Sequence, residues 1–304
     1  MKILVTGGAG FIGSNIVKLL CDSNHEVVVF DNLSEGYKEA VDRRASLIEA
    51  DLKDRDDIKK ALKGVEAVIH MAASIEVAES VEQPEKYFNN NVVNGMNLLE
   101  EVRLAGIKKL IFSSTAAVYA SGVEIPIKEE AEKLPTSPYG TTKLMFEKML
   151  FTYYKCYNIN STALRYFNVY GPWKKKHEES LVIPNFMRAV IQDKKVPLYW
   201  QGKCIRDFIY VEDIARAHLA PLEQKGFHVY NVGTESGTSV IDLLKMIANV
   251  AGKKYEVDDL GKREGDQLKT IADVSKIKKE LGFEAKTSLE KGLRKTYEWY
   301  INNL

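Results

Sequence analysis

The pattern of hydrophobic and polar positions in the first half of the chain alternates between short apolar runs and longer amphipathic segments. The apolar runs are rich in β-branched residues, which is typical of buried strands. They comprise residues 3–6, 26–30, 67–70 and 109–113. The segments of helical length and spacing comprise residues 13–21, 56–62 and 84–105. This alternation predicts an α/β fold, a Rossmann-type doubly wound parallel sheet with right-handed crossovers and helices on both faces.

The second half of the chain is less regular. Gly171 and Pro172 interrupt the alternation, and further proline and glycine residues punctuate the stretch up to position 202. We expect residues 1–170 to form the domain built on this sheet, which later segments complete. Residues 171–304 are expected to form mainly a smaller α/β lobe. In the segment 84–105, apolar residues at helical spacing predict a packed helical face; they are Val92, Met96, Leu99 and Val102.

Composition narrows the classes of protein to be considered. The 304 residues are 45% hydrophobic and 28% charged, as in globular proteins, and 43 basic against 42 acidic residues leave a charge of +1. This balance argues against a protein that coats nucleic acid or an anionic membrane. No apolar run reaches the roughly 18 residues of a membrane span, and Met1 is not followed by a signal-peptide pattern, so we expect a cytoplasmic location. Three scattered cysteines and five histidines without ligand spacing predict neither a disulfide framework nor a metal site.

A glycine pattern after the first strand gives the clearest chemical signal. Gly7, Gly10 and Gly13 follow the strand and open a helix. The first glycine permits a tight turn, the second lets a pyrophosphate approach the backbone, and the third allows close packing of helix and sheet. Asp31 follows Gly13 by 18 residues at the end of the next strand. A carboxylate there accepts from both adenine-ribose hydroxyls and repels a 2′-phosphate, which favours NAD over NADP.

Further motifs follow in a fixed order along the chain. They include Asp51-Leu52, the run His70-Met71-Ala72-Ala73, Asn91, Ser113-Ser114-Thr115 and the pair Tyr139 and Lys143. With the GxxGxxG spacing, this order resembles the extended short-chain dehydrogenase/reductase family along nearly the whole chain. The resemblance implies that residues 1–170 bind NAD. The 4-epimerase reaction considered below further implies that the NAD stays tightly bound and is not consumed. The residues it places at the cofactor are Gly7, Gly10, Phe11, Ile12, Gly13, Asp31, Asn32, Leu33, Ser34, Gly36, Asp51, Leu52, Met71, Ala72, Ala73, Asn91, Tyr139, Lys143 and Phe167.

Thr115, Tyr139 and Lys143 are the expected catalytic residues. Tyr139 and Lys143 are four residues apart and share a face if the segment is helical. A lysine ammonium and a cationic nicotinamide both favour a phenolate, so we expect the pKa of Tyr139 to fall from about 10 towards neutrality. Tyr139 would then remove a proton from a sugar hydroxyl, and Thr115 would hydrogen-bond the same oxygen.

The residues after Thr115 distinguish between reactions of the family. Its dehydratases carry an Asp-Glu pair there and its decarboxylases carry a glutamate nearby, whereas this chain has Ala116 and Ala117, which cannot exchange protons. The run from Ser113 to Tyr119 resembles the pattern of the family's 4-epimerases. The implied reaction is NAD-dependent 4-epimerisation of a UDP-hexose through a 4-keto intermediate. A UDP-glucuronate 4-epimerase, a nucleotide-sugar reductase and a non-catalytic NAD or nucleotide-sugar sensor remain alternatives.

The resemblance also implies a binding surface for the UDP-sugar. Two arginines would clamp the pyrophosphate by charge-assisted hydrogen bonds, and an aspartate would accept from the uridine ribose. The substrate-side residues are Thr115, Tyr139, Asn168, Val182, Tyr199, Arg206, Arg263 and Asp266. Thr270 stands where some epimerases carry a bulky aromatic, so we expect room for an acetamido group. A homodimer formed through the helices around residues 84–105 and 137–154 is implied as well.

Overall fold

The computed structural model describes residues 1–173, 181–262 and 267–303. A seven-stranded parallel sheet forms its centre, with the order β10-β6-β5-β4-β1-β2-β3. The predicted fold class is confirmed. The strands are β1 (Lys2–Thr6), β2 (Glu26–Asp31), β3 (Ser46–Glu49), β4 (Ala67–His70), β5 (Lys109–Thr115), β6 (Asn160–Tyr166), β7 (Asn168–Tyr170), β8 (Val196–Leu198), β9 (Ile205–Tyr210), β10 (Phe227–Val232), β11 (Gly237–Ser239), β12 (Val257–Asp259) and β13 (Lys269–Thr270).

Helices cover both faces of the sheet. They are α1 (Phe11–Asp22), α2 (Arg55–Ala61), α3 (Val77–Glu82), α4 (Pro84–Tyr87), α5 (Asn94–Leu104), α6 (Pro138–Tyr157), α7 (Val182–Ile191), α8 (Val211–Leu219), α9 (Val240–Ala251), α10 (Ser275–Leu281) and α11 (Leu289–Asn303). None of the helices in the described ranges is long and apolar enough to cross a membrane.

The segment predicted as one helix over residues 84–105 has a more complex form. A π-helical turn, Phe88–Val93, joins α4 to α5. Leu99 and Val102 are buried as expected, but Met96 is 48% exposed, so the prediction that it packs in the core of this chain is wrong. The reason is that apolar residues at helical spacing mark a buried stripe or a surface stripe equally well.

Two apolar layers fix the sheet between its helices. Ile3 and Val5 of β1 point into a cluster with Ile16 of α1 and Ile214 of α8. The intervening Leu4 points the other way, into the cluster that contains residues of α2, α5 and α6. Because side chains alternate along a strand, β1 is buried on both faces, which accounts for its continuous apolar sequence.

The later part of the chain contributes both to this sheet and to a smaller lobe. Strand β10 pairs with β6 and so extends the central sheet with residues far beyond position 170. In the smaller lobe, β9 pairs with β7, β11 and β13. A third apolar cluster packs α7, α9 and α11 against β9. The carboxyl end of β6, which lies beside that of β5, therefore leads directly into the lobe through β7.

Candidate active site at the carboxyl ends of the strands

The glycine turn, residues 7–13, is shaped by close backbone contacts. Gly7 has φ +69°, and a Cβ added there would lie 2.6 Å from the Ala72 nitrogen. A Cβ on Gly13 would overlap the Gly7 carbonyl oxygen. At Gly10, by contrast, the nearest atom to an added Cβ is that carbonyl oxygen at 3.3 Å. Helix α1 follows Gly10 without a side-chain cap, so its first N–H groups have no competing side-chain acceptor.

Asp31 ends β2 beside this turn and is buried. Its Oδ2 accepts the Ala9 N–H at 2.9 Å, and its Oδ1 accepts the Leu33 N–H at 2.9 Å. Each carboxylate oxygen keeps a further lone pair for a ribose hydroxyl. Asn32 donates to Asp51 Oδ2 at 3.0 Å. Although burial opposes ionisation of Asp51, hydrogen bonds from Asn32 and the Lys53 amide lower its pKa.

The loop after β4 is held to β1 by one hydroxyl. Thr6 Oγ1 accepts from the Met71 and Ala72 amides at 3.2 and 3.3 Å and hydrogen-bonds His70 Nδ1 at 2.8 Å. Burial, aided by the charge of Lys143, lowers the pKa of His70 to about 3, so this imidazole is neutral at neutral pH. Thr6 was not singled out in the sequence, where it looks like any strand residue.

Asn91 connects this loop to α6. Its Oδ1 accepts the Ser74 N–H at 2.8 Å, and its Nδ2 donates to the Ser74 carbonyl at 3.0 Å and to Thr142 Oγ1 at 3.1 Å. Asn91 lies on the π-helical turn, a local distortion that is frequent at functional sites. These contacts show how Asn91 positions the loop of Ala72 and Ala73; its expected place beside the cofactor stays a prediction.

The structure brings the three expected catalytic residues together. Thr115 ends β5 and lies beside the phenol of Tyr139 in the first turn of α6, close enough to act on its pKa. Ser137 begins that helix by accepting the Gly140 N–H at 3.2 Å. One turn after Tyr139, the buried Lys143 donates from Nζ to the Ser113 carbonyl at 2.8 Å. Its Nζ lies 6.0 Å from the centroid of the Tyr139 ring.

Burial has the largest effect on the acid–base properties of these residues. It raises the pKa of Tyr139 to about 12, although the neighbouring Thr115 side chain acts in the opposite direction. Burial also lowers the pKa of Lys143 to about 7. Among the protein's own groups, desolvation therefore has the largest effect on the pKa of Tyr139. The expected fall of this pKa includes the charge of a bound nicotinamide and stays a prediction.

The expected substrate-side residues lie mainly in the smaller lobe. Asn168 donates to the Asp207 carbonyl at 3.2 Å, and Arg206 is the register partner of Thr270. Val182 opens α7, and the half-exposed Tyr199 follows β8. The buried Phe167 packs in a separate small cluster. Arg263 and Asp266 lie outside the described residues, and all these binding roles stay predictions.

Three buried charged residues near the site have no role in the expectations from the sequence. Glu147 and Arg165 form an ion pair below Lys143, and both are buried. Asp207 accepts from the Thr234 hydroxyl and from backbone amides of the adjoining loop, although burial raises its pKa. Two features of the sequence could have indicated these residues. Glu147 follows Lys143 by four residues, and Asp207 stands next to Arg206.

With this geometry in place, comparison with known proteins identifies the family. The profile of the NAD dependent epimerase/dehydratase family matches residues 3–233. The chain belongs to this family. NAD fits the residues described above: space lies above Gly10 for a pyrophosphate, the start of α1 is uncapped, and Asp31 retains acceptor capacity for ribose hydroxyls.

Individual members of the NAD dependent epimerase/dehydratase family match the chain from end to end. It is 38% identical to the UDP-glucose 4-epimerase of Bacillus subtilis, with 100% of this chain and 98% of the relative covered. The crystal structure of the Thermotoga maritima UDP-glucose 4-epimerase with UDP-glucose has a TM-score of 0.96, 38% identity and 99% coverage of both chains. A UDP-N-acetylglucosamine 4-epimerase from Methanobrevibacter ruminantium, in complex with UDP-N-acetylmuramic acid, has a TM-score of 0.95 and 35% identity, with 100% of this chain and 99% of that chain covered.

Proposed function

We propose that the protein is an NAD-dependent enzyme that interconverts the C4 epimers of a UDP-hexose, with UDP-glucose and UDP-galactose as its substrates. The observation that carries the proposal is the contact of Thr115 with Tyr139, one helical turn from the buried Lys143. Ala116 and Ala117 follow in a short 3₁₀ turn and add no acid or base. The full-length similarity to UDP-glucose 4-epimerases supports the same reaction.

In this proposal each residue has a defined task. Tyr139 removes the proton of the C4 hydroxyl and later returns it, while Thr115 holds that oxygen by a hydrogen bond. Lys143 in its charged form favours the phenolate of Tyr139. The bound NAD supplies reversible acceptance of hydride, so that no net oxidation results. Asn168, Arg206 and the predicted contact of Arg263 bind the diphosphate, and Asp266 accepts hydrogen bonds from the uridine ribose. Affinity then resides in the nucleotide, and the hexose is free to turn.

The direct test is to incubate the purified protein with UDP-glucose, without added cofactor, and to follow UDP-galactose by NMR. We expect product to form, because the NAD stays bound between turnovers. A parallel sample with added NAD separates loss of cofactor from lack of activity. The absence of product in both samples would contradict the proposal and favour another nucleotide sugar or a sensor.

The same assay separates the remaining alternatives. A reductase would consume NADH or NADPH, which absorbance at 340 nm detects. A UDP-glucuronate 4-epimerase would convert UDP-glucuronate faster than UDP-glucose. A sensor would bind UDP-sugar and leave it unchanged.

A broader substrate range is a second part of the proposal. Thr270 pairs with Arg206 in the sheet of the smaller lobe, and its short side chain leaves room beside the sugar for an acetamido group. The Methanobrevibacter ruminantium relative is named a UDP-N-acetylglucosamine 4-epimerase. We expect turnover of UDP-N-acetylglucosamine, and expect Thr270→Tyr to reduce it more than turnover of UDP-glucose. Undetectable turnover by the parent protein would contradict this part.

We also propose a homodimer. Large apolar side chains on the neighbouring surfaces of α6 and of the helical segment 88–104 are 40–58% exposed; they are Val93, Met96, Leu104, Met145 and Phe151. A second copy of the chain would cover them by pairing these helices. Light scattering should give twice the mass of the chain, and Met96→Lys with Phe151→Lys should give the monomer. A monomeric parent would contradict the dimer.

The cellular role follows from the proposed reaction. We propose that the enzyme acts in galactose metabolism in the cytoplasm. Its expression should restore growth on galactose to a host that lacks UDP-glucose 4-epimerase, and a Tyr139→Phe variant should not. A tagged chain should fractionate with cytoplasmic markers. Failure to restore growth, with active protein present in the host, would contradict the role.

A further inference from the structure

Three consecutive residues of β5 each contact one of three residues spaced four apart on α6. The pairs are Ser113 with Lys143, Ser114 with Glu147, and Thr115 with Tyr139. The proposed reaction uses the first and the third pair. The middle contact, from Ser114 Oγ to Glu147 Oε1, measures 2.5 Å and is buried, and it has no task so far.

Glu147 is also the centre of a buried ion pair. Arg165 donates from Nε to its Oε1 at 2.9 Å and from Nη2 to its Oε2 at 2.6 Å. The two side chains are 3% and 4% exposed. The third nitrogen of Arg165, Nη1, donates to the Tyr119 hydroxyl at 2.9 Å and to the Glu129 carbonyl at 3.0 Å. Every nitrogen of the guanidinium and both oxygens of the carboxylate thus have hydrogen-bond partners, as charges inside a protein require.

The sheet register places this pair directly beside the catalytic residues. Ser114 and Arg165 are partners across β5 and β6, and both bind Glu147 from below α6. The two-point contact of a guanidinium fixes the orientation of a carboxylate as well as its distance. A rotation or shift of α6 would break this contact and would move Tyr139 away from Thr115 at the same time.

We infer that Glu147 and Arg165 are positioning residues for the reaction: their ion pair fixes the face of α6 that carries Tyr139 and Lys143 against β5, and Glu147, one helical turn from Lys143, provides a negative charge that favours the charged form of Lys143. The inference rests on the proposed function for what Tyr139 and Lys143 do. It assigns no contact with substrate or cofactor to either residue of the pair.

The charges around Lys143 support the second half of the inference. Burial lowers the pKa of Lys143, and the charge of Glu147 acts in the opposite direction. His70 at the end of β4 is neutral, and burial raises the pKa of Tyr166 on β6, so neither supplies a negative charge. The other titratable groups that face this region are Arg165 on β6, Tyr139 on α6 and, beside Tyr139, the acidic Glu76.

Glu147→Gln tests the charge. It retains the size and two hydrogen-bonding atoms but removes the negative charge, so Lys143 should lose its proton at lower pH. The alkaline limb of the kcat profile should move about one pH unit lower. KM for UDP-glucose should change little, because the pair does not contact substrate. The matched control is Glu101→Gln on α5, which also removes a glutamate bound by an arginine, Arg55, and should leave the profile unchanged.

Arg165→Lys tests the positioning. It keeps both charges but loses the two-point contact, so kcat should fall about tenfold or more while the alkaline limb stays in place. Glu147→Met with Arg165→Met is the folding control, because an apolar pair of similar volume often preserves stability. If Glu147→Gln does not fold, this double variant should still show the lower alkaline limb. Folded variants with the kcat and pH profile of the parent would overturn the inference.

The pKa of Lys143 can be measured by NMR without substrate. In protein labelled with ¹³Cε-lysine, the signal lost in Lys143→Met identifies this residue, and its shift reports its protonation as the pH is varied. The midpoint should fall by about one pH unit in Glu147→Gln and stay near that of the parent in Arg165→Lys. An unchanged midpoint in Glu147→Gln would overturn the charge effect. Because this measurement needs no turnover, it stands even if UDP-glucose is not the substrate.

Discussion

The glycine turn and the catalytic face of α6 lie at the same edge of the sheet but meet opposite physical demands. At the turn, Gly13 and Gly7 are in such close contact that the fold itself excludes a side chain. On the catalytic face, Lys143 is buried with its ammonium against the Ser113 carbonyl and the Phe112 ring, and burial lowers its pKa to about 7. The first arrangement serves stability and function together, whereas the second holds a charge where the fold would be more stable without it.

This difference predicts the outcome of substitutions in the two regions. A larger residue at the glycine turn should reduce stability and cofactor binding together. Removal of a charged or polar group from the catalytic face should abolish turnover, with stability unchanged or increased. Four variants test the comparison, from the largest expected effect to the smallest.

Tyr139→Phe should produce the largest effect. It removes the hydroxyl that exchanges the proton and leaves the ring in place, so kcat should fall by about 10²–10⁴-fold. Urea unfolding should give a free energy close to that of the parent, because the lost hydroxyl has one protein partner, Thr115, among the contacts described. Tyr157→Phe, at the exposed end of the same helix, is the control and should retain full activity. Substantial turnover by Tyr139→Phe would contradict the role of the phenol.

Lys143→Met should increase stability while it abolishes turnover. The folded pKa of Lys143, about 7, lies below the value of about 10.4 for an unfolded lysine, so the unfolded chain binds more protons between these values. The parent is therefore least stable, relative to the variant, at and below about pH 7, and the difference shrinks as the pH approaches 10. The gain at pH 6 should be on the order of a few kcal/mol, reduced by the lost hydrogen bond to the Ser113 carbonyl.

Urea unfolding at pH 6, 8 and 9.5 measures this effect. Lys148→Met, an exposed position on α6, provides the control and should show no such pH-dependent gain. A variant that is less stable than the parent at pH 6 would mean that the buried ammonium stabilises the fold. In that case the opposition between function and stability on this face would be rejected.

The same comparison explains what the sequence could predict. The glycine turn and Asp31 were located because their signals are local: a strand, a fixed glycine spacing and one acidic residue. The burial that raises the pKa of Tyr139 could not be predicted, because desolvation depends on the whole surroundings of α6. The ion pair of Glu147 and Arg165 was not found because it depends on the register of β5 and β6.

The exposed side chain of Met96 and the π-helical turn show the same limit. Met96 belongs to a helical stripe that the pattern predicts to be packed, but the pattern alone does not tell whether the same chain covers it. The π-helical turn that carries Asn91 interrupts a segment with uniform helical periodicity. Its contacts to Ser74 and Thr142 come from two other parts of the chain, so only the folded structure shows why the distortion is retained.

Gly13→Ala should show the behaviour of the glycine turn. The added methyl group would overlap the Gly7 carbonyl oxygen, and neither backbone segment can move without disturbing β1 or α1. We expect a loss of about 1–3 kcal/mol in the free energy of unfolding, together with loss of retained NAD. Thermal unfolding and absorbance of the released cofactor measure the two effects. A variant as stable as the parent would show that the turn has more freedom than its contacts indicate.

Gly10→Ala should produce the smallest change in the fold and separates the two requirements within the turn. Its added methyl group meets only the Gly7 carbonyl oxygen at 3.3 Å, and Gly10 already has a negative φ of −82°, which alanine adopts readily. The free energy of unfolding of the NAD-free protein should therefore stay close to that of the parent. The methyl group would nevertheless occupy the space predicted for the pyrophosphate, so NAD affinity should fall about tenfold or more.

Calorimetric titration of the NAD-free protein gives the affinity, with Gly13→Ala as the contrasting variant. Unchanged affinity would place the pyrophosphate elsewhere, and reduced stability would show that steric exclusion extends along the whole turn.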